Sequence, residues 1–414
     1  MNSRRKWIVI LCWLTVVFEG FDLVALGASI PTLLDTKHAG IDPAGATYVA
    51  TISLVGVGVG AALIGPISDR FGRRLPLIAC VLLFSIFTLI FPLMPNVALM
   101  GVLRLLAGLG LGGCMPVAVT AMQEAAASDG KAHSSTLTMT GYHVGAVVAS
   151  LVALLVGRQW EWLFYAGGIL GLVAVPLMWA KLPETSPIAE ARQTPAAMDV
   201  PKVSIGDLLR PPYLRITIGL WVAAFMGLLL VYGLNTWLPQ LMRGAGYKVA
   251  DSLVLLLVLN VGAVAGLLAG GRIADRRGVK GTTMFWFAAA AVLLAVLSVK
   301  MDNQLVLNGV VFVTGFFVFC AQVLVYGFVG YLYPRHIVAS GMGFVSAVGR
   351  LGAITGPWIT GLLVVAGIAY PFSFYVFALA ALLGVAAVAV IPKVRRGAPD
   401  ATEAAAAGKP ALHS

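Results

Sequence analysis

Twelve apolar stretches constrain this chain more than any other feature. They run roughly over residues 7–34, 46–67, 75–94, 97–126, 133–157, 160–180, 214–242, 250–273, 281–299, 304–332, 338–365 and 368–391. A helix needs about 20 apolar residues to cross a bilayer, and each stretch is close to that length or longer. Hydrophobic residues make up 60% of the 414-residue chain and charged residues 11%, where soluble domains carry about 25% charged residues. Water cannot solvate such a surface, so lipid is the solvent. The runs are continuous rather than alternating, which excludes the spans of a β-barrel. The expected fold is an all-α polytopic membrane protein with twelve transmembrane helices.

Between the second and third stretches stands GPISDRFGRR, Gly65 to Arg74. It returns in degenerate form as GRIADRRGVK, Gly271 to Lys280, 206 residues later. A polar, glycine-bearing turn repeated at half-length points to a duplicated unit, and hence to two six-helix bundles of the kind many transporters use. The longest polar break begins KLPETSPIAEARQTPAAMDVPK. The expected organisation is a first bundle over 1–180, a linker over 181–212, a second bundle over 213–396 and a disordered tail over 397–414. The remaining connections are short, so any chemistry belongs within the spans.

The net charge of +11 does not mark a nucleic-acid binder. With the N-terminus inside, 21 of the 28 Lys and Arg fall on one side, five on the other (Lys37, Arg158, Arg243, Lys248 and Lys300) and two, Arg104 and Arg350, within spans. That bias places both termini in the cytoplasm. The first stretch contains Glu19 and Asp22 and is followed by eleven more, so it reads as a retained helix rather than a cleaved signal. Cys12, Cys80, Cys114 and Cys320 lie within spans, form no CxxC and read as packing residues; no metal or cofactor is expected. Glycines cluster at 56, 58 and 60, at 108, 110, 112 and 113, and at 262, 266, 270 and 271. Such spacing lets helix backbones approach closely in lipid.

Charges inside the spans cost about 2.5–3.5 kcal/mol each on insertion scales and therefore mark function. Glu19 and Asp22 are three apart and share a face near mid-depth. Two acids this close in a low dielectric do not both ionise easily, so one is expected to hold a proton; the alternative is a polar pair saturated by Arg104. Arg104 and Arg350 stay charged and each needs an anion. No acid lies at depth in the last six spans, so Arg350 must find its partner in the first bundle or in a ligand. Glu124 sits near the end of the fourth span and fits a gate or a helix-end role. His143 is one residue from the half-repeat equivalent of Arg350. Fully ionised, the three acids and two arginines carry minus one, and an arriving anion makes minus two, so binding calls for a proton. Moving a monoanion inward costs about 2.3 kcal/mol per 100 mV, which one cotransported proton removes. In the repeated turn, Gly72 permits a tight turn, Arg70 and Arg73 suit lipid headgroups, and Asp69 can pair with a neighbouring arginine in one state and release it in another. Asp275 and Arg276 repeat the pattern.

GPISDRFGRR resembles the loop 2–3 signature of the major facilitator superfamily, G-x-x-x-D-R-x-G-R-R, and RLLAGLGLGG resembles its fourth-helix arginine motif. The resemblance spans about residues 5 to 396. Within the superfamily, Glu19-Gly20-Phe21-Asp22 is similar to the D-G-x-D of the aromatic acid:proton symporters. YGLNTWLPQLM (Tyr232 to Met242) and GRLGAITGP (Gly349 to Pro357) are similar to that family's helix 7 and helix 11 segments. The resemblance implies alternating-access import, with protons, of benzoate-like or hydroxybenzoate-like anions by an inner-membrane, non-enzymatic transporter, here expected to be monomeric. It implies roles for Glu19, Asp22 and Glu124 in proton coupling, for Arg104 and Arg350 in binding, and for Asp69 and Asp275 in gating. Tyr232, Asn235, Trp237, Gln322 and Tyr326 are candidates to meet the ring. Two positions depart: Glu19 replaces the first Asp, and Val338 stands where the family often has an arginine, with Arg335 and His336 just upstream. The helix 5 segment GYHVGAVVAS lacks the antiporters' Gly-Pro, which disfavours drug efflux. The alternatives are a symporter of another organic anion and, more distantly, a proton-linked exporter.

Overall fold

A computed structural model describes residues 3–125, 131–184, 208–333 and 338–392. The side chains of Asp69, Glu124, Asp275 and Val338 lie outside the described residues. So do Arg335 and His336, most of the central connection and the C-terminal tail. The first six helices are α1 (Ser3–Thr36), α2 (Pro43–Phe71), α3 (Arg74–Ile90), α4 (Val97–Ala125), α5 (Lys131–Val156) and α6 (Glu161–Lys181). The second six are α7 (Leu214–Gly244), α8 (Val249–Arg277), α9 (Val279–Leu297), α10 (Gln304–Leu332), α11 (Val338–Val365) and α12 (Ala369–Val390). All twelve are long and apolar enough to cross a membrane. The described residues contain no strand.

The helix ends follow from local chemistry. The Asp42 carboxylate accepts from Gly45 N at 2.7 Å and starts α2, with Pro43 at its first position. Asn303 does the same for α10, accepting from Leu305 N at 2.9 Å. The repeated turn closes α2 and α8 with glycines at positive φ, Gly72 at φ 84° and Gly278 at φ 94°. In both turns the last basic residue reaches back to a helix end. Arg74 donates to the Trp179 carbonyl on α6, and Lys280 donates to the Ala389 carbonyl on α12 at 2.9 Å. These carbonyls have no partner within their own helix, and a cation there also meets the negative end of the helix dipole.

Within each half the same pairs pack: α1 on α5, α2 on α4 and α3 on α6, then α7 on α11, α8 on α10 and α9 on α12. Glycine makes the tightest of these possible. A Cβ at Gly112 would stand 2.0 Å from the Val57 carbonyl oxygen, and one at Gly266 would stand 2.1 Å from that of Phe316. The halves meet where α2 packs on α11, α5 on α8 and α1 on α7. The face carrying the repeated turns and the central connection is called the linker face below, and its opposite the far face.

Candidate functional site

The two acids of α1 have different surroundings. Asp22 is closed into a cage: its Oδ2 pairs with Arg104 Nη2 at 2.8 Å, and its Oδ1 accepts from Thr88 Oγ1 at 2.7 Å. Arg104 also donates to Ser53 Oγ at 3.1 Å, and its guanidinium lies 5.8 Å and 6.0 Å from the ring centres of Phe91 and Phe164. Both charged side chains are buried. Five helices of the first bundle, α1, α2, α3, α4 and α6, thus meet around one ion pair, and neither member lines the central cavity.

Glu19, one turn earlier, is 0% exposed, yet neither of its carboxylate oxygens completes a hydrogen bond. It lies in electrostatic reach of Arg350 across the bundle interface. Arg350, on α11, donates to the Tyr232 hydroxyl of α7 at 3.2 Å. Its hydrogen-bond partner therefore comes from its own bundle, while Glu19, the acid within its electrostatic reach, belongs to the other.

Arg350 and Tyr232 form one wall of a cavity of about 90 Å³ between the bundles. Each helix around it presents one face. From α10 come Phe319, Gln322, Val323 and Tyr326, from α5 Met139, Tyr142 and His143, and from α7 Leu228 and Val231 beside Tyr232. These are i, i+3, i+4 and i+7 spacings. His143 stands edge-on to Phe319 with ring centres 5.2 Å apart and to Tyr142 at 5.3 Å. The lining is mostly apolar and aromatic, with a cation at one wall and the polar groups Gln322, His143 and Tyr142 at others, as a site for a small amphipathic anion requires. Tyr142 and Phe319 were not foreseen from the sequence, although their spacing from His143 and Gln322 was the available signal.

The other candidates are spread more widely. Asn235 is buried and accepts from Asn260 Nδ2 at 3.0 Å. Trp237 is 0% exposed and donates to the Pro357 carbonyl at 2.9 Å, so it ties α7 to α11 outside the cavity lining. The backbone puts Glu124 in the last turn of α4 and Asp69 and Asp275 near the ends of α2 and α8; their side chains lie outside the described residues. Arg73 donates to Ser68 Oγ at 2.9 Å, and its backbone N–H meets Glu184 Oε1 at 2.7 Å. Arg70 lies over the Phe71 ring at 5.4 Å. Toward the far face the bundles are closed: a Cβ at Gly27 would meet the Asn235 carbonyl oxygen at 2.3 Å. Beyond it Arg243 of α7 pairs with Asp35 and donates to the Pro31 carbonyl of α1 at 3.0 Å. The four cysteines are buried thiols.

Twelve membrane-length helices among the described residues, in two equivalent bundles around a mostly apolar central cavity with an arginine at one wall, define a membrane transporter. The family model described as Major Facilitator Superfamily matches residues 12–340. The chain is 30% identical to the benzoate transport protein of Acinetobacter baylyi, covering 95% of this chain and 91% of that one. It is 30% identical to the gentisate transporter of Corynebacterium glutamicum (96% and 89% covered) and 31% identical to the 4-hydroxybenzoate transporter PcaK of Pseudomonas aeruginosa (94% and 93%). Among solved structures, a D-xylose-proton symporter superposes with a TM-score of 0.77 over 94% of this chain and 98% of its own, at 15% identity. The chain belongs to the major facilitator superfamily and, within it, to the aromatic acid:proton symporter family.

Proposed function

We propose that this multi-pass protein sits in the cell (inner or plasma) membrane with both termini cytoplasmic. There it imports an aromatic carboxylate of the benzoate or hydroxybenzoate type together with protons. The observation that carries the reading is the division of labour on α1. Asp22 is locked to Arg104, while Glu19 is a buried carboxylate without a hydrogen bond, and Arg350, the cation in its electrostatic reach, lines the cavity.

Coupling follows from charge. A carboxylate arriving at Arg350 and Tyr232 competes with Glu19 for the one guanidinium in reach. A buried carboxylate without a counter-charge is costly, so Glu19 takes a proton as the anion binds. Release of the anion returns Arg350 to Glu19 and discharges the proton. Phe319 and the tyrosines supply ring-stacking walls. The closed contacts at the far face and the cavity on the linker side fit one stage of alternating access, with the linker face cytoplasmic. The repeated turns, through Asp69, Arg70, Gly72 and Arg73 and through Asp275 and Arg276, act as the gate there, and Glu124 adds a proton site at the same end. Nothing in this scheme requires more than one copy of the chain.

The test is uptake of labelled benzoate, 4-hydroxybenzoate, gentisate and protocatechuate in cells, with and without an uncoupler. Accumulation of at least one, abolished by the uncoupler, is expected. Uptake of none overturns the substrate class, and uptake indifferent to the uncoupler overturns proton coupling.

A further inference from the structure

A second cavity lies away from the transport site, on the outer side of the second bundle at the linker face. It holds about 640 Å³ between α8, α9 and α10, and its lining includes Arg276, Arg277, Gly281, Phe285, Trp286 and Phe317. The two arginines end α8 and Gly281 lies in the first turn of α9, so the polar end sits at headgroup level. The aromatic rings lie one to two turns deeper, roughly 6–10 Å into the hydrocarbon at 1.5 Å per residue. Phe285 is 60% exposed, and Leu268 and Val292 nearby on α8 and α9 are exposed as well, so this side faces lipid.

The first half shows that the groove is not a by-product of the repeated scaffold. Moving 206 residues back, Phe285 and Trp286 become Ala79 and Cys80, Phe316 and Phe317 become Gly110 and Leu111, and Arg277 becomes Phe71. There α3 and α4 close up: a Cβ at Gly110 would meet the Cys80 carbonyl oxygen at 2.6 Å. In the second half the bulky rings of Trp286, Phe316 and Phe317, packed on one another with centres 5.2–6.2 Å apart, hold α9 and α10 away from such contact. The charges differ too. Arg276 matches Arg70, but Arg277 stands where the first half has Phe71, so two guanidinium groups replace one, and neither Arg276 nor Arg277 makes an ion pair or hydrogen bond among the described residues. Gly281, in the first turn of α9, lines the groove beside the two arginines, and a Cβ there would meet nothing within 4 Å, so the helix start is open to a ligand in the groove.

We infer that this groove binds one anionic phospholipid, its phosphate on Arg276, Arg277 and the start of α9 and an acyl chain along Phe285, Trp286 and Phe317. Arginine forks match phosphate oxygens, and basic pockets between spans are suited to anionic headgroups. The apolar trough continuing from the charged rim selects a lipid over a free anion.

The experiment is native mass spectrometry of the detergent-purified chain with equal phosphatidylglycerol and phosphatidylcholine. Phosphatidylglycerol should be retained preferentially, and the double variant Arg276→Gln/Arg277→Gln should lose that preference by roughly 25-fold, about fivefold per arginine. Arg70→Gln, the matching change in the first half, should lose far less. Should the double variant not purify, Arg277→Gln alone and quenching by phosphatidylglycerol with brominated chains decide. Quenching of wild-type tryptophan fluorescence should exceed that of Trp286→Phe. Equal retention of the two lipids overturns the inference, as does an equal loss in Arg70→Gln, full displacement by inorganic phosphate, or quenching unchanged by Trp286→Phe.

Discussion

The two halves of the molecule share a backbone plan and differ in where they put charge. Both turn at a glycine of positive φ, both anchor a basic side chain on the end of their sixth helix, and both pack the same helix pairs. Yet Glu19, Asp22 and Arg104 correspond, 206 residues on, to Phe225, Leu228 and Val310. The first half keeps a buried ion pair for itself and offers Glu19 to the buried part of the interface, where the second brings Arg350; the other pair between the halves, Asp35 with Arg243, lies at the partly exposed far face. Duplication explains the scaffold, and the transport chemistry lies in what was not duplicated.

The largest expected effect comes from breaking the caged pair. Arg104→Leu leaves Asp22 buried without its cation, which should cost about 3–5 kcal/mol and show as a large fall in melting temperature and in membrane yield. Asp22→Leu/Arg104→Leu removes both charges and should recover most of the loss. If the single change lowers substrate affinity while stability is unaltered, the pair is not the structural element described here.

Glu19 should behave in the opposite way. Glu19→Gln keeps the shape and removes the titratable group, so the protein should fold and still exchange substrate across the membrane. It should no longer accumulate it: without the proton, a membrane potential opposes the anion by about 2.3 kcal/mol per 100 mV, roughly fiftyfold in the accumulation ratio. Counterflow and proton-driven uptake in reconstituted vesicles separate the two. Unchanged driven uptake would sink the role given to Glu19.

Arg350 and Tyr232 come next. Charge-assisted hydrogen bonds contribute about 1.5–3 kcal/mol, so Arg350→Ala should raise the KM for a carboxylate substrate by roughly 10- to 100-fold, and Arg350→Lys by less. Tyr232→Phe, which deletes a neutral partner of the arginine, should cost only about 0.5–1.5 kcal/mol, a few-fold in KM. Normal KM in Arg350→Ala would remove the arginine from the site.

These contrasts were only partly legible in the sequence. The helices were, because a run of about 20 apolar residues has few other uses, and the buried charges were, because they stand out against such runs. Which acid of α1 meets Arg104 was not. Glu19 and Asp22 are about 60° apart around the helix, and only the position of α4 decides between them. Trp237 is five residues from Tyr232, about 140° around α7, which is why it faces α11 while Tyr232 faces the cavity. Tyr142 is not legible in the sequence because an aromatic in an apolar span carries no contrast; its place in the site depends on Gly20, whose lack of a side chain lets α1 lie against the Tyr142 backbone.

The smallest effect tests the turns themselves. Gly72→Ala and Gly278→Ala both force alanine to a positive φ with extended ψ, a conformation essentially confined to glycine, at a cost of about 1–3 kcal/mol each. At Gly278 nothing lies within 4 Å of the new methyl group, so strain is the whole effect. At Gly72 the methyl would stand 2.3 Å from Glu184 Oε2, the carboxylate that accepts the Arg73 and Arg74 backbone N–H groups. The Leu182-Pro183-Glu184 that supplies this carboxylate after α6 is matched after α12 by Ile391-Pro392-Lys393, where a lysine takes the acid's place. Gly72→Ala should therefore destabilise more than Gly278→Ala, and adding Glu184→Gln should narrow the gap. Melting temperatures of the purified variants measure it. Equal shifts in the two glycine variants would mean that the carboxylate yields freely and that the two turns are alike in energy as well as in shape.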